Sequence, residues 1–300
     1  MTPNEYLQKI LKQQSLSNDS PEIKAIRKEK EIVEEILRKE FSESNPTIRY
    51  GGSKAKGTMI KESYDLDIVC YFKHDDKNAG DTLKEIYANM KQALEDKYYV
   101  EPKTSALRLK GKDTDNFQQD FHIDVVPGRF VNDKNYDVFL YQSIGDKEYL
   151  KTNIEKHITH ISDSGLHNVI KLIKYWKIRW GIFGLKTFVL ELLVIKVLES
   201  INNERLDELL TKFWQELKDN VNNIKVEDPA NPIGNDLSTH FGTSIKNQLS
   251  SISRGALDQI DNDNWESIFG PIQDKDEYNN IAITTAISSQ KRNSAKPWSY

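Results

Sequence analysis

A chain of 300 residues, 37% of them hydrophobic and 29% charged, has ample material for one large or two ordinary cores, which excludes a disordered or fibrous protein. The 42 Lys and Arg against 46 Asp and Glu leave a net charge of −4, which argues against standing affinity for bulk nucleic acid while allowing a local basic groove. The single cysteine, Cys70, excludes an internal disulfide and a cysteine-rich zinc module, and reads as buried filler in a reducing compartment.

The start, Met1-Thr2-Pro3-Asn4-Glu5-Tyr6, lacks the basic and apolar regions of a secretory signal. The longest apolar stretch, Thr187 to Leu198, is broken by Glu191 and Lys196 and is too short to span a bilayer. The expected location is therefore the cytoplasm, away from membranes.

In chain order, Pro21 to Phe41 carries Ile23, Ile26, Ile32, Val33, Ile36 and Leu37 at helical spacing, with Ser20 as the start signal, and predicts a long amphipathic helix with a solvated charged face. Gly51-Gly52-Ser53-Lys54-Ala55-Lys56-Gly57-Thr58 reads as a glycine turn opening one turn of helix, and Asp65 to Phe72 as an apolar strand interrupted by two aspartates. Thr82 to Lys97 places Leu83, Ile86, Met90 and Leu94 on one stripe, a helix covering the sheet. Leu107 to Lys112 alternates like an edge strand, and Gly111 with the polar run to Gln119 suggests a hairpin. Phe121 to Pro127 is a short apolar run whose one acid is Asp124; Asp113, Asp115 and Asp120 sit in polar, loop-like context instead.

Tyr136 to Tyr141 reads as a further strand, after which the pattern becomes helical. His157 and His160 lie three apart, a spacing open to zinc, but no third ligand is near and they read as polar residues at a helix end. Val169 to Trp180 sets Ile170, Ile173, Trp176 and Trp180 on an apolar stripe, with Lys171, Lys174 and Lys177 beside it facing solvent. Phe188 to Leu198 is apolar almost all round, a buried helix. Leu206 to Leu217 and Leu249 to Ile260 are helical, Val226 to Ser238 is a rigid proline-bracketed loop, and the polar tail begins at Lys291.

Side chains alternate across a strand, so Asp65 and Asp67 share one face while Leu66 and Ile68 take the other. Two ionised carboxylates side by side repel unless a cation sits between them, and hard divalent ions favour such oxygens. Magnesium, which shares carboxylates with nucleotide phosphates, is the expected guest. The glycine turn supplies the cradle: Gly51 and Gly52 admit close backbone approach, and the amides from Ser53 onward favour an anion. If Asp124 lies on a neighbouring strand, it completes a two-metal clamp, and the chemistry is nucleotidyl transfer.

GGSKAKGT, DLD and HIDVVPG together resemble the polymerase β-type nucleotidyltransferase superfamily. IKLIKYWK, GLKTFVLELLVIKVLE and VEDPANPIGNDLS resemble the helical half of oligoadenylate synthetases and of their bacterial relatives, the cGAS/DncV-like nucleotidyltransferases, over about Arg49 to Ser238. The resemblance implies an α+β fold: a polymerase β-like mixed sheet with flanking helices in residues 1–155, including an N-terminal spine helix, and a helical domain in 156–300, with the active site in the cleft between them. It also implies that Gly52 and Ser53 bind nucleotide phosphate, that Asp65, Asp67 and Asp124 hold two Mg2+ ions (Mn2+ substituting), and that Lys174 reaches the triphosphate. Thr187 falls at a small polar contact, Phe188 at a base-stacking position that core packing explains equally, and Asn231 and Asn235 at the acceptor side, where loop rigidity explains them too.

The activity implied is the joining of nucleoside triphosphates, ATP among them, into a cyclic di- or trinucleotide with release of pyrophosphate, in bacterial anti-phage (CBASS-type) defence. A regulatory protein partner and a downstream effector go with it, and the zinc insertion of the animal DNA-sensing relative is missing. The alternatives are a linear oligoadenylate synthase, a transferase to RNA or protein, for which the composition offers no basic footprint, and a non-catalytic nucleotide-binding scaffold on the same fold.

Overall fold

The computed structural model of the chain describes residues 1–112, 122–134, 136–145, 147–199, 205–231 and 237–273. These fall into two compact units. Ser15–His167, with the described residues from Glu227 to Asn231, form a unit built on a sheet; Met1–Gln14, Asn168–Val226 and the described residues from Leu237 form a helical one.

The first helix, α1 (Pro3–Gln14), belongs to the helical unit and was not foreseen. Thr2 and Glu5 cap it reciprocally, Thr2 N–H donating to Glu5 Oε2 at 2.8 Å and Glu5 N–H to Thr2 Oγ1 at 3.3 Å. Its Tyr6, Leu7, Ile10 and Leu11 are buried, and the Tyr6 hydroxyl donates to the Gly270 carbonyl at 2.5 Å.

The sheet unit begins with α2 (Pro21–Glu40), whose Ser20 cap accepts from Ile23 N–H at 3.3 Å, as the start signal predicts. There follow β1 (Thr47–Tyr50), α3 (Gly52–Ala55), β2 (Leu66–Phe72), α4 (Leu83–Glu95), β3 (Tyr98–Pro102), β4 (Leu107–Gly111), β5 (Ile123–Phe130), β6 (Val138–Tyr141), β7 (Tyr149–Thr152) and α5 (Ile154–Ser164). The strands form one mixed sheet in the order β1-β2-β5-β4-β3, with β6 pairing β5 and β7 pairing β6. Only the β2–β5 pair is parallel among the described ladders.

Alternation decides what each sheet face does. Leu66, Ile68, Cys70 and Phe72 of β2, Leu107 and Leu109 of β4, and Ile123 and Val125 of β5 point into one core with Ile26, Val33 and Leu37 of α2 and Ile86, Met90 and Leu94 of α4. Cys70 is buried there and burial raises its thiol pKa, which makes it inert filler. The residues between them face the other way, where Val69, Tyr71, Val138 and Leu140 pack with Ile154.

Two expectations change. The strand at Leu107 is not an edge: β4 lies between β5 and β3, and β3 takes the edge. Local alternation identifies a strand but not its neighbours, which are set by pairing across the chain. The sheet unit also extends through α5 to His167 rather than ending at 155. The reason is physical: the side chain of Asn153 both caps α5 and donates to Asp137 Oδ1 at 2.7 Å, and Arg49 of β1 pairs with Glu155, so the helix is fastened to the sheet.

The helical unit continues with α6 (His167–Arg179), α7 (Thr187–Leu198), α8 (Leu206–Asn220), a short 3-10 turn at Leu237–His240, α9 (Thr243–Asp261) and α10 (Trp265–Phe269). Its core is aromatic, Trp176 and Trp214 lying 5.8 Å apart between ring centroids and Trp214 and Phe269 6.0 Å apart. Trp180, expected on the same buried stripe, is 38% exposed and its indole N–H donates to the Ile268 carbonyl at 3.2 Å. It lies just beyond the end of α6, where the chain has already turned.

Candidate active site

Asp67 and Asp124 stand directly opposite one another in the parallel register of β2 and β5. In-register neighbours of a parallel pair share a face, so the two side chains project side by side, away from the core that Ile68, Ile123 and Val125 fill. Both are partly buried, which strengthens any charge they meet.

Gly52 makes this arrangement possible. Its φ is +49°, and a Cβ there would lie 1.6 Å from Asp67 Oδ2 and 2.5 Å from its carboxyl carbon. The glycine is therefore needed to admit the carboxylate itself, in addition to the ligand approach that the sequence suggested. Gly51 N–H donates to the Asp67 carbonyl at 2.8 Å, which ties the turn to β2. α3 is a single turn of four residues, with Ser53 half-buried as its second residue.

Asp65 departs from expectation, for it precedes β2 rather than lying in it. Its Oδ1 accepts from His122 N–H at 3.1 Å, next to the bond from Leu66 N–H to the His122 carbonyl at 2.8 Å. Asp65 thus sits where β2 and β5 begin, two residues ahead of the Asp67–Asp124 pair. Asp113, Asp115 and Asp120 lie outside the described residues.

Arg108 is the group that sequence reading missed. It is the register partner of Asp124 on β4, and its guanidinium grips the carboxylate through both oxygens, Nε to Oδ1 at 2.8 Å and Nη2 to Oδ2 at 2.7 Å. Among the described residues, no three His, Cys, Asp or Glu side chains are gathered as a ready metal cluster, so Asp65, Asp67 and Asp124 are not drawn together as one; Asp124 is held by Arg108 and Asp65 by His122 N–H. The donor chemistry nonetheless fits a hard divalent cation: two in-register carboxylates, a third at the strand entrance, and no thiolate or imidazole among them.

His157 and His160 belong to the body of α5, not to a helix end. His157 Nε2 hydrogen-bonds Asp228 Oδ1 at 2.8 Å, and Asp228 also accepts from Ala230 N–H at 2.9 Å, so the histidine holds the start of the proline-bracketed loop. Asn231 N–H closes a turn onto the Asp228 carbonyl at 2.9 Å, and Asn235 lies outside the described residues.

In the helical unit, Lys174 and Lys177 of α6 are buried, contrary to the expectation that they face solvent. The cause is on α7. Glu191 is fully buried in an otherwise apolar helix and lies 3.6 Å from Lys174 Nζ, so each charge compensates the other's loss of water. Thr187 and Phe188 are the first two residues of α7, both half-buried.

Desolvation, with Lys174 adding like charge, pulls the Lys177 ammonium down to about 8. Below that pH the folded chain carries the full burial penalty. From about pH 8 up to the ordinary lysine range the unfolded chain keeps a proton that the folded one has released, so stability rises with pH. We expect a rise on the order of 2 kcal/mol between pH 7 and 10, read from urea midpoints, and its loss in Lys177→Met.

Residues 1–164 match the Second Messenger Oligonucleotide or Dinucleotide Synthetase (SMODS) domain, and the chain belongs to this family of nucleotidyltransferases, the cGAS/DncV-like enzymes. The fold is shared with solved members. The Escherichia coli MS115-1 CdnC in complex with HORMA-deltaN superposes with a TM-score of 0.68 at 18% identity, covering 90% of this chain and 98% of that one. The Bradyrhizobium diazoefficiens CD-NTase CdnG in complex with GTP gives 0.66 at 15% identity, covering 97% and 99%. The Vibrio cholerae DncV cyclic AMP-GMP synthase, in complex with a linear intermediate, gives 0.62 at 18% identity, covering 91% and 87%. No curated protein matches the sequence. Among the described residues no helix is long and apolar enough to cross a membrane.

Proposed function

We propose that this chain joins nucleoside triphosphates, ATP among them, into a cyclic di- or trinucleotide with release of pyrophosphate, as the signal-producing enzyme of a bacterial anti-phage (CBASS-type) system. The single observation that carries the reaction is the in-register pair Asp67 and Asp124 on one sheet face beside the Gly52 turn. Family membership supplies the reaction class, and the defence role rests on the resemblance of the family.

In this reading Asp65, Asp67 and Asp124 hold two Mg2+ ions, which Mn2+ can replace. When bound, the metal acidifies the attacking hydroxyl and neutralises charge on the triphosphate. Gly52 leaves the room that the Asp67 carboxylate occupies. Ser53 and the amides of its turn bind phosphate, and, as the resemblance implies, Lys174 reaches the triphosphate and Thr187, Phe188 and Asn235 contact nucleotide. A ribose hydroxyl of one nucleotide attacks the α-phosphate of a second; the new phosphodiester forms as the bond to the β-phosphate breaks and pyrophosphate leaves. A second round within the linear dinucleotide, or after one further addition, closes the ring.

The similar CdnC was solved with ATP and with HORMA-deltaN, and CdnG with GTP, which supports purine triphosphates as substrates and a regulatory protein partner for this chain. An effector protein responding to the product completes the proposed pathway, in the cytoplasm. The test is incubation with the four labelled triphosphates and Mg2+, phosphatase digestion and mass spectrometry. A phosphatase-resistant product of ring mass is expected. A product that phosphatase shortens would establish a linear synthase instead.

A further inference from the structure

We propose that Arg108 is a latch on the metal site: its guanidinium competes with the cation for the charge of Asp124, so this carboxylate binds metal more weakly while Arg108 holds it. The inference rests on the two-metal reading above. Its ground is geometric. Both Asp124 oxygens accept from Arg108, at 2.8 and 2.7 Å, in the parallel fork that guanidinium and carboxylate form best, which leaves each oxygen one lone pair and its charge already compensated. A hard cation on Asp124 would share oxygens whose negative charge the guanidinium already draws on.

Two features mark this pair as more than a surface contact. Arg108 and Asp124 are register partners on adjacent strands, so the backbone brings the two side chains to the same face whatever their rotamers. Their side chains are also only 20% and 18% exposed, so water screens the pair little.

The surrounding charges explain why the latch closes on Asp124 and not elsewhere. Arg108 is opposite Glu101 in the β3–β4 register, but Glu101 is already paired with Lys103 and, at 3.2 Å, with Lys110. Asp65 adds its charge at the same spot while its Oδ1 accepts from His122 N–H. Asp124 is thus the carboxylate within Arg108's fork, and the guanidinium stands as a built-in counter-cation that keeps Asp67 and Asp124 from repelling one another before the metal arrives. The latch therefore stabilises the pair and weakens its metal affinity together.

The test is Mn2+ binding to the full-length protein without nucleotide, followed by the electron paramagnetic resonance signal of free Mn2+. Arg108→Gln is expected to bind Mn2+ about tenfold more tightly than the wild type, the scale of one charge-assisted hydrogen-bonded pair. The gain should vanish when Asp124→Asn is added, since the competition is then gone. Arg108→Lys, which keeps the charge and loses the fork, should tighten binding by about threefold, and it serves if the Gln variant fails to fold. Equal or weaker Mn2+ binding in the Arg108 variants, with wild-type binding abolished by Asp67→Asn, overturns the latch and leaves the metal reading standing. No Mn2+ binding by any of these proteins, even with ATP present and its own chelation of Mn2+ subtracted by a protein-free control, overturns the metal reading and the latch with it.

Discussion

Replacing Asp65 and Asp67 together by Asn is expected to lower product formation by about 10³-fold or more while leaving the fold intact. Asparagine has nearly the same shape and keeps one carbonyl-type acceptor, so the bond from His122 N–H to position 65 survives. What disappears is negative charge, and the Asp67–Asp124 register then presents one carboxylate where there were two. Loss of repulsion across that register should leave thermal stability unchanged or slightly higher. The measurement is pyrophosphate release from ATP and GTP with Mg2+, set beside the circular dichroism melt. Undiminished release from a folded double variant would remove these two residues from the chemistry.

Gly52→Ala tests the same centre without touching a carboxylate. The added Cβ falls 1.6 Å from Asp67 Oδ2 and 3.0 Å from its Cβ, so the side chain of Asp67 must rotate out of its position. The φ of +49° adds strain for any residue with a Cβ, about 1 kcal/mol for alanine. We expect activity to fall by about 10²-fold, with a loss of stability on the order of 1–3 kcal/mol. A Gly52→Ala enzyme of wild-type activity would mean that the place of Asp67 beside this glycine is immaterial. The contrast with Asp65→Asn/Asp67→Asn is informative, since one variant loses charge without strain and the other moves the same charge by strain.

The sequence makes legible what local rules determine. Ser20 before Pro21, the stripe from Leu83 to Leu94 and the apolar strand from Leu66 that carries Asp67 each have their meaning within a dozen residues, and each element is found there. The helix from Pro3 was overlooked although Thr2 and Glu5 spell a capping box around a proline at the first helical position. The signal was present and local.

Other features are non-local, and no window of sequence contains them. Leu107-Arg108-Leu109 announces a strand, but only the pairing of β4 with β5 reveals that Arg108 faces Asp124. The short β7, half-exposed throughout, has no apolar alternation to find. Lys174 and Lys177 read as solvated because charged residues on a helix usually are, and the burial of Lys174 depends on Glu191, a whole helix away. A hint existed there too: a lone acid inside FVLELLVIKVL requires a buried partner, and a lysine on the preceding helix is the natural one.

Diffraction from crystals grown with Mn2+ and a non-hydrolysable ATP analogue, collected at a wavelength where manganese scatters anomalously, tests the whole account most directly. It should give an anomalous peak within coordination distance of both Asp67 and Asp124, with the triphosphate on its far side. A bound nucleotide with no such peak at these carboxylates, or with manganese held by other residues, would contradict it.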